Sequence, residues 1–301
     1  MRREGGSKVP ETVLCRRPGA RRLNIALLCA AFVLLALLYA PVVSGLVRQW
    51  LQDENYRHGL LIPLIAALIL WQRRYRLRAE RGGGGGLAGA ALMLLAALLL
   101  IGGTAAAELF TARLSLPLFM LGAALFLGGK RFASAAAAPL LFLILMVPLP
   151  YIVYFKITFP MQILSAKLSA AALQTAGVDV IRRGNILLLP GYTLEVVAAC
   201  SGLRSLMTLV TLAIVFAFFS GLSWRRRVLL VLCAAPVAIA ANTVRLVVTA
   251  LGAYMIGPEF ADGLLHEISG LIVFAAGFVM LALCAGILTW TRSRQNASPR
   301  S

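Results

Sequence analysis

Charge is scarce in this sequence. Only 13% of its 301 residues are charged, while 60% are hydrophobic and the mean hydropathy is +0.88. So little charge excludes a water-soluble domain of this length. Acids are scarcer still, 11 against 29 Lys and Arg, which leaves a net charge of +18. Aromatic residues make up 8% and do not interleave with the basic clusters. With no recognition motif either, a nucleic-acid partner is excluded. The five cysteines (Cys15, Cys29, Cys200, Cys233 and Cys284) include no C-x-x-C pair. That argues against a disulfide framework or a zinc site, and no metal or cofactor is expected. Histidine occurs only twice, at His58 and His266, which narrows any search for a proton carrier.

What is present in quantity is apolar sequence. Runs of roughly 20 residues, each long enough to cross a hydrocarbon core of about 30 Å, recur along the chain. The spans fall at 23–47, 59–72, 87–103, 112–129, 132–155, 199–220, 228–254 and 267–290. The expected class is an all-α polytopic inner-membrane protein of about eight transmembrane helices. Residues 1–22 form a basic cytoplasmic tail, 23–290 a single transmembrane domain and 291–301 a cytoplasmic C-terminal tail. A long span with no clear cleavage site follows the basic tail, so the first helix is expected to be retained.

Orientation follows from the basic residues. With the N-terminus inside, 20 of the 29 Lys and Arg fall on the cytoplasmic side. They lie in the tail, in Arg73 to Arg81, at Lys130 and Arg131, in Arg225 to Arg227 and after Trp290. Only Glu4, Glu11 and Glu80 join them, leaving +17 inside and +1 on the remainder. The reverse orientation would violate the positive-inside rule at every loop. Five glycines at 82–86 read as a flexible linker. Residues 157–176 place Ile163, Leu164, Leu168 and Ala171 on one helical face, the pattern of an interfacial helix on the outer leaflet. Residues 181–196 carry turn signals around an apolar run and predict a short, hairpin-like extended loop.

Ionisable residues inside a membrane point to function. Arg245 lies in the outer half of the seventh span. It is about nine residues from that span's end, roughly 13 Å, a long reach for snorkelling. Asn242, three residues earlier on the same helical face, is suited to orient the guanidinium. Cys200 precedes a helix start at Ser201 and Gly202, where N–H groups and a positive dipole end lower a thiol pKa. Arg204, one turn on, acts in the same direction. His266 opens the eighth span and His58 the second, both at the outer face. Cys200, Arg245 and His266 thus meet at one leaflet from three successive spans. The trio suits acyl transfer, in which a thiolate attacks a carbonyl, a histidine moves protons and an arginine stabilises the oxyanion. No G-x-S-x-G elbow offers a serine in its place. A non-enzymatic component of exopolysaccharide export or assembly is the competing class.

Several motifs resemble those of the exosortase and archaeosortase family of membrane transpeptidases. They are D-E-N-Y-R-H-G-L-L-I-P-L at 53–64, R-G-N-I-L-L-L-P-G-Y-T-L-E-V at 183–196, A-C-S-G-L-R-S-L at 199–206, A-N-T-V-R at 241–245 and H-E-I-S-G at 266–270. The resemblance covers most of the chain from Trp50 onward. It implies a cysteine protease and transpeptidase that cuts C-terminal sorting signals of exported proteins, the PEP-CTERM type among them. It implies Cys200 as nucleophile, with Arg245 and His266 as the essential arginine and histidine. Where many relatives carry an acid before the A-C-S-G run this chain has Ala198, and Glu195 is the nearest acid. No extra C-terminal domain of the kind fused to some relatives is expected. The acceptor is left open among water, a lipid amine and a glycan.

Overall fold

In hydrocarbon a backbone must satisfy its own polar groups, and a helix does so within one segment. The apolar runs accordingly fold as helices. The computed structural model describes residues 18–80, 82, 85–196, 203–257, 260 and 264–297. Helix α1 (Pro18–Gln52) leads through a 3-10 turn (Glu54–Leu60) to α2 (Leu61–Gln72), α3 (Arg74–Ala79), α4 (Gly86–Ala105) and α5 (Leu109–Phe142). A second 3-10 turn (Leu143–Met146) precedes α6 (Tyr151–Thr175). Three short strands follow, β1 (Ile181–Arg183), β2 (Ile186–Leu189) and β3 (Tyr192–Glu195). The chain ends in α7 (Leu203–Phe219), α8 (Trp224–Met255) and α9 (Leu264–Ala297). Its contacts divide it into two units, one reaching to Gly45 and one beginning at Leu46. The first holds the N-terminal part of α1.

Among the described residues five stretches are long and apolar enough to cross a bilayer: Val33–Gln52, Gly86–Ala105, Leu109–Met146, Trp224–Met255 and Gly270–Trp290. The apolar helix Leu206–Phe219 is shorter. The chain is a predominantly helical polytopic membrane protein of the all-α class. Its elements differ from the eight expected spans in identifiable ways. Helix α2 has only 12 residues. The runs at 112–129 and 132–155 join into one stretch that bends at Gly129, whose φ of 79° suits glycine. The second of them stops at Met146, not at 155. Pro148 forces Val147 into an extended conformation, and α6 begins afresh after Pro150.

The amphipathic stretch at 157–176 makes up most of α6. It turns Thr158, Gln162, Ser165, Ala166, Ser169, Ala170 and Leu173 inward and leaves Leu164 and Leu168 exposed. Small inward residues let α6 lie close along α8, where the Ser169 hydroxyl donates to the Thr243 carbonyl at 3.3 Å. The extended loop is a three-stranded antiparallel sheet in the order β1-β2-β3. Its turns use Gly184 at φ 64° and Gly191 at φ 78°. On one face Leu187, Leu189, Leu194 and Val196 pack with Leu173 of α6 and with Leu246 and Ala250 of α8. The sheet therefore rests on the α6–α8 pair, and its last described residue shares a core with the neighbour of Arg245.

A second core joins α7, α8 and α9 through Leu209, Ala213, Leu230, Ala234, Ala238 and Leu281. At one end of the bundle Arg73, Arg76, Lys130 and Arg131 gather round one cleft. Arg73 lies over the Phe218 ring at 4.3 Å. Burial, then the like charges of Arg76 and Arg227, pull its pKa down. The opposite end gathers the α1–α2, α4–α5 and α5–α6 connections. There the Trp50 indole N–H donates to the Met146 carbonyl at 2.9 Å. Gly59 lies so close to that indole that a Cβ would overlap it. Gly59→Leu is therefore expected to lower the melting temperature in detergent by several degrees, the effect of an overpacking cost of about 1–3 kcal/mol. An unchanged melting curve would contradict this packing.

Candidate active site

The site begins with an arginine that α8 cannot leave in lipid. Arg245 is half-buried, one residue before Leu246, which anchors the sheet. The guanidinium lies against α9. A Cβ built on Gly270 would sit 3.2 Å from Arg245 Nη2 and 3.3 Å from Cζ. A side chain there would press on the guanidinium, which would have to give by a few tenths of an ångström. Two turns on, a Cβ at Gly277 would meet Leu209 at 3.4 Å and Ala241 at 3.6 Å, so α9 packs on α7 and α8 together.

Asn242 stands one turn before Arg245 and is 4% exposed. Its Nδ2 is buried with no hydrogen-bond partner. A buried amide donor left unmet costs about 1–3 kcal/mol, so its persistence is itself a pointer to function. Amide and guanidinium lie on the same side of α8, and an anion between α8 and α9 would find both. Asn242 is thus a potential donor in its own right, beyond the orienting role expected of it.

His266 belongs to α9, one turn before Gly270, and its side chain lies outside the described residues. Cys200 also lies outside them, four positions after Val196 and three before the start of α7. Arg204 falls in the first turn of α7, and its side chain too lies outside. Glu195 is described. It occupies β3 opposite Ile186, exposed on the face turned away from Leu194 and Val196. His58 is half-buried in the first 3-10 turn, which packs against α7. Burial pushes its pKa down, partly offset by a backbone hydrogen bond at Asn55, which favours the neutral imidazole. Both histidine-bearing elements therefore adjoin α7.

Among the described residues no group of His, Cys, Asp or Glu is arranged to hold a metal ion. Cys233 and Cys284 are free, half-buried thiols. Three features were not singled out from sequence. Gly270 was visible within H-E-I-S-G, but its contact with the guanidinium depends on how α8 and α9 dock. The anchor of Trp50 on Met146 joins residues 96 positions apart. Arg113, an arginine at the edge of an apolar run, carried the same signal of intramembrane charge as Arg245.

No curated protein and no solved structure matches this chain. The family model described as transmembrane exosortase matches residues 50–283, which include all five motifs and both cores. This polytopic chain belongs to the transmembrane exosortase family.

Proposed function

We propose that the protein is a membrane-embedded cysteine protease and transpeptidase. It cleaves C-terminal sorting signals of the PEP-CTERM type through a thioester on Cys200, at the outer face of the inner membrane. The observation that carries this reading is the Arg245 guanidinium lying on Gly270, one turn from His266 on α9. Family membership supplies the reaction class.

Cys200 attacks the scissile carbonyl as a thiolate. Its proton passes to His266, which returns it to the leaving amine. Arg245, with Asn242 beside it, meets the oxyanion. Chain length supports the juxtaposition. Four residues span at most about 14 Å, so Cys200 stays within that distance of Val196. Val196 in turn shares its core with Leu246. The acyl group then passes to an acceptor, releasing the thiol. A substrate helix in the bilayer carries its scissile bond just beyond the hydrocarbon, and its basic tail stays inside.

The two ends of the bundle support the orientation, since the basic loops gather at one end and the acidic connections at the other. Reporter fusions should put Arg226 in the cytoplasm and residue 107 outside. A periplasmic Arg226 would overturn both topology and site. The reaction itself is tested by co-expressing a tagged substrate and following its processing on gels. His266→Ala should slow processing by about 10²–10⁴-fold. His58→Ala should have the lesser effect, and the reverse order would give His58 the proton-transfer role.

A further inference from the structure

The α1–α2, α4–α5 and α5–α6 connections line an open cavity of about 440 Å³, and Arg245 is not among its lining residues. Asp53, Asn55, Glu108, Arg113, Tyr151 and Tyr154 line it. Arg113 is only 7% exposed and donates to the Gln49 side-chain carbonyl at 2.5 Å. Among the described residues no carboxylate lies within ion-pair distance of it; the single such pair is Arg57 with Glu54. An almost buried guanidinium with one neutral hydrogen-bond acceptor, attracted by Glu108 only from beyond contact, leaves most of its donors unmet and its charge only partly balanced. A phosphate or carboxylate in the cavity would satisfy both.

The acids here do not contact Arg113, although Glu108 attracts it from beyond ion-pair distance; each acid is held by its own neighbours. Glu108 accepts from the Phe110 and Thr111 N–H groups at 3.1 and 2.7 Å, capping α5. The Thr111 hydrogen bonds hold it below the usual carboxylate range, so it stays ionised. Asp53 Oδ1 accepts from the backbone and side-chain nitrogens of Asn55, both at 3.0 Å. Asn55 Oδ1 is itself buried with no hydrogen-bond partner, an acceptor that the wall leaves unmet. One cavity therefore offers a cationic donor and, beside it, two carboxylates and a spare amide oxygen. That is the complement of a zwitterion.

Apolar surface continues from this mouth. Tyr151, a lining residue, is 77% exposed and stacks on Phe155 at 6.3 Å, which stacks on Phe159 at 5.2 Å. The three rings form an outward row along α6, with Ile152 69% exposed next to them. Tyrosine near the end of an apolar span is suited to headgroup depth, and the phenylalanines beyond it to acyl chains.

We propose that this cavity binds a phospholipid with an amine-bearing headgroup. The phosphate meets Arg113, the ammonium meets Asp53 and Glu108, and an acyl chain lies along Tyr151, Phe155 and Phe159. The site does not rest on the transpeptidase reading.

The test uses the full chain, delipidated in detergent and loaded with phosphatidylethanolamine, phosphatidylglycerol or glycerophosphoethanolamine. Bound molecules are counted by native mass spectrometry. Phosphatidylethanolamine should be retained several-fold better than either alternative. Arg113→Gln should weaken that retention about tenfold, the worth of a charge-assisted pair. Tyr151→Ala, at an exposed position that does not endanger folding, should weaken it several-fold. Equal retention of phosphatidylglycerol would overturn the amine assignment. Equal binding of glycerophosphoethanolamine would overturn the lipid, and tighter binding of an acidic peptide would replace it with a polypeptide site. Undiminished retention by both variants would overturn the site.

Discussion

Cys200→Ala is expected to leave a tagged sorting-signal substrate uncut while the enzyme accumulates at its normal level. In the proposed mechanism alanine removes the atom that forms the acyl intermediate. What remains is binding and oxyanion stabilisation, so the rate should fall by at least about 10³-fold. Serine is not expected to rescue, because its hydroxyl is far less acidic than a thiol and the sequence has no G-x-S-x-G motif to prepare it. Normal processing by Cys200→Ala would rule out cysteine nucleophilic catalysis.

Arg245→Ala should reduce processing by about 10²–10³-fold, the usual loss when one oxyanion donor is removed. Arg245→Lys should fail nearly as badly. Lysine keeps the charge but has a single rotatable ammonium in place of a planar fork, and the guanidinium plane is what fits against Gly270. Gly270→Leu makes the complementary change, leaving the arginine in place and pushing its head group aside. It should lower the rate with Arg245 intact, whereas Asn242→Ala should cost less because it removes one neutral donor. Full activity in Arg245→Lys would show that a point charge suffices. Full activity in Arg245→Ala would remove it from the mechanism.

Much of this architecture is legible in the sequence. Hydropathy and the basic loops marked a polytopic helical protein, because lipid imposes one backbone solution and charge sorts the loops. The Gly-Asn and Pro-Gly turns at 184–185 and 190–191 marked the extended segment, though not that it forms three strands seated on α6 and α8. The spans at 112–129 and 132–155 were harder to divide. Hydropathy does not register that Gly129 bends a continuous run while Pro148 and Pro150 end it. For α6 the apolar stripe was readable, but its outward direction followed from the small residues opposite. Arg245 and Asn242 could be selected from charge and polarity in an apolar run. Their relation to Gly270, and the cavity around Arg113, come from docking of helices distant in sequence, which no local pattern encodes.

The central claim is a thioester on Cys200, and peptide mapping of an acid-quenched reaction tests it most directly. Enzyme mixed with substrate, quenched and digested at Arg and Lys should yield the 184–204 peptide carrying the substrate's new C-terminal residue. Hydroxylamine should release that adduct, and Cys200→Ala should never form it. Continued cleavage with the Cys200 thiol unmodified throughout turnover, or an adduct on another residue, would contradict the account.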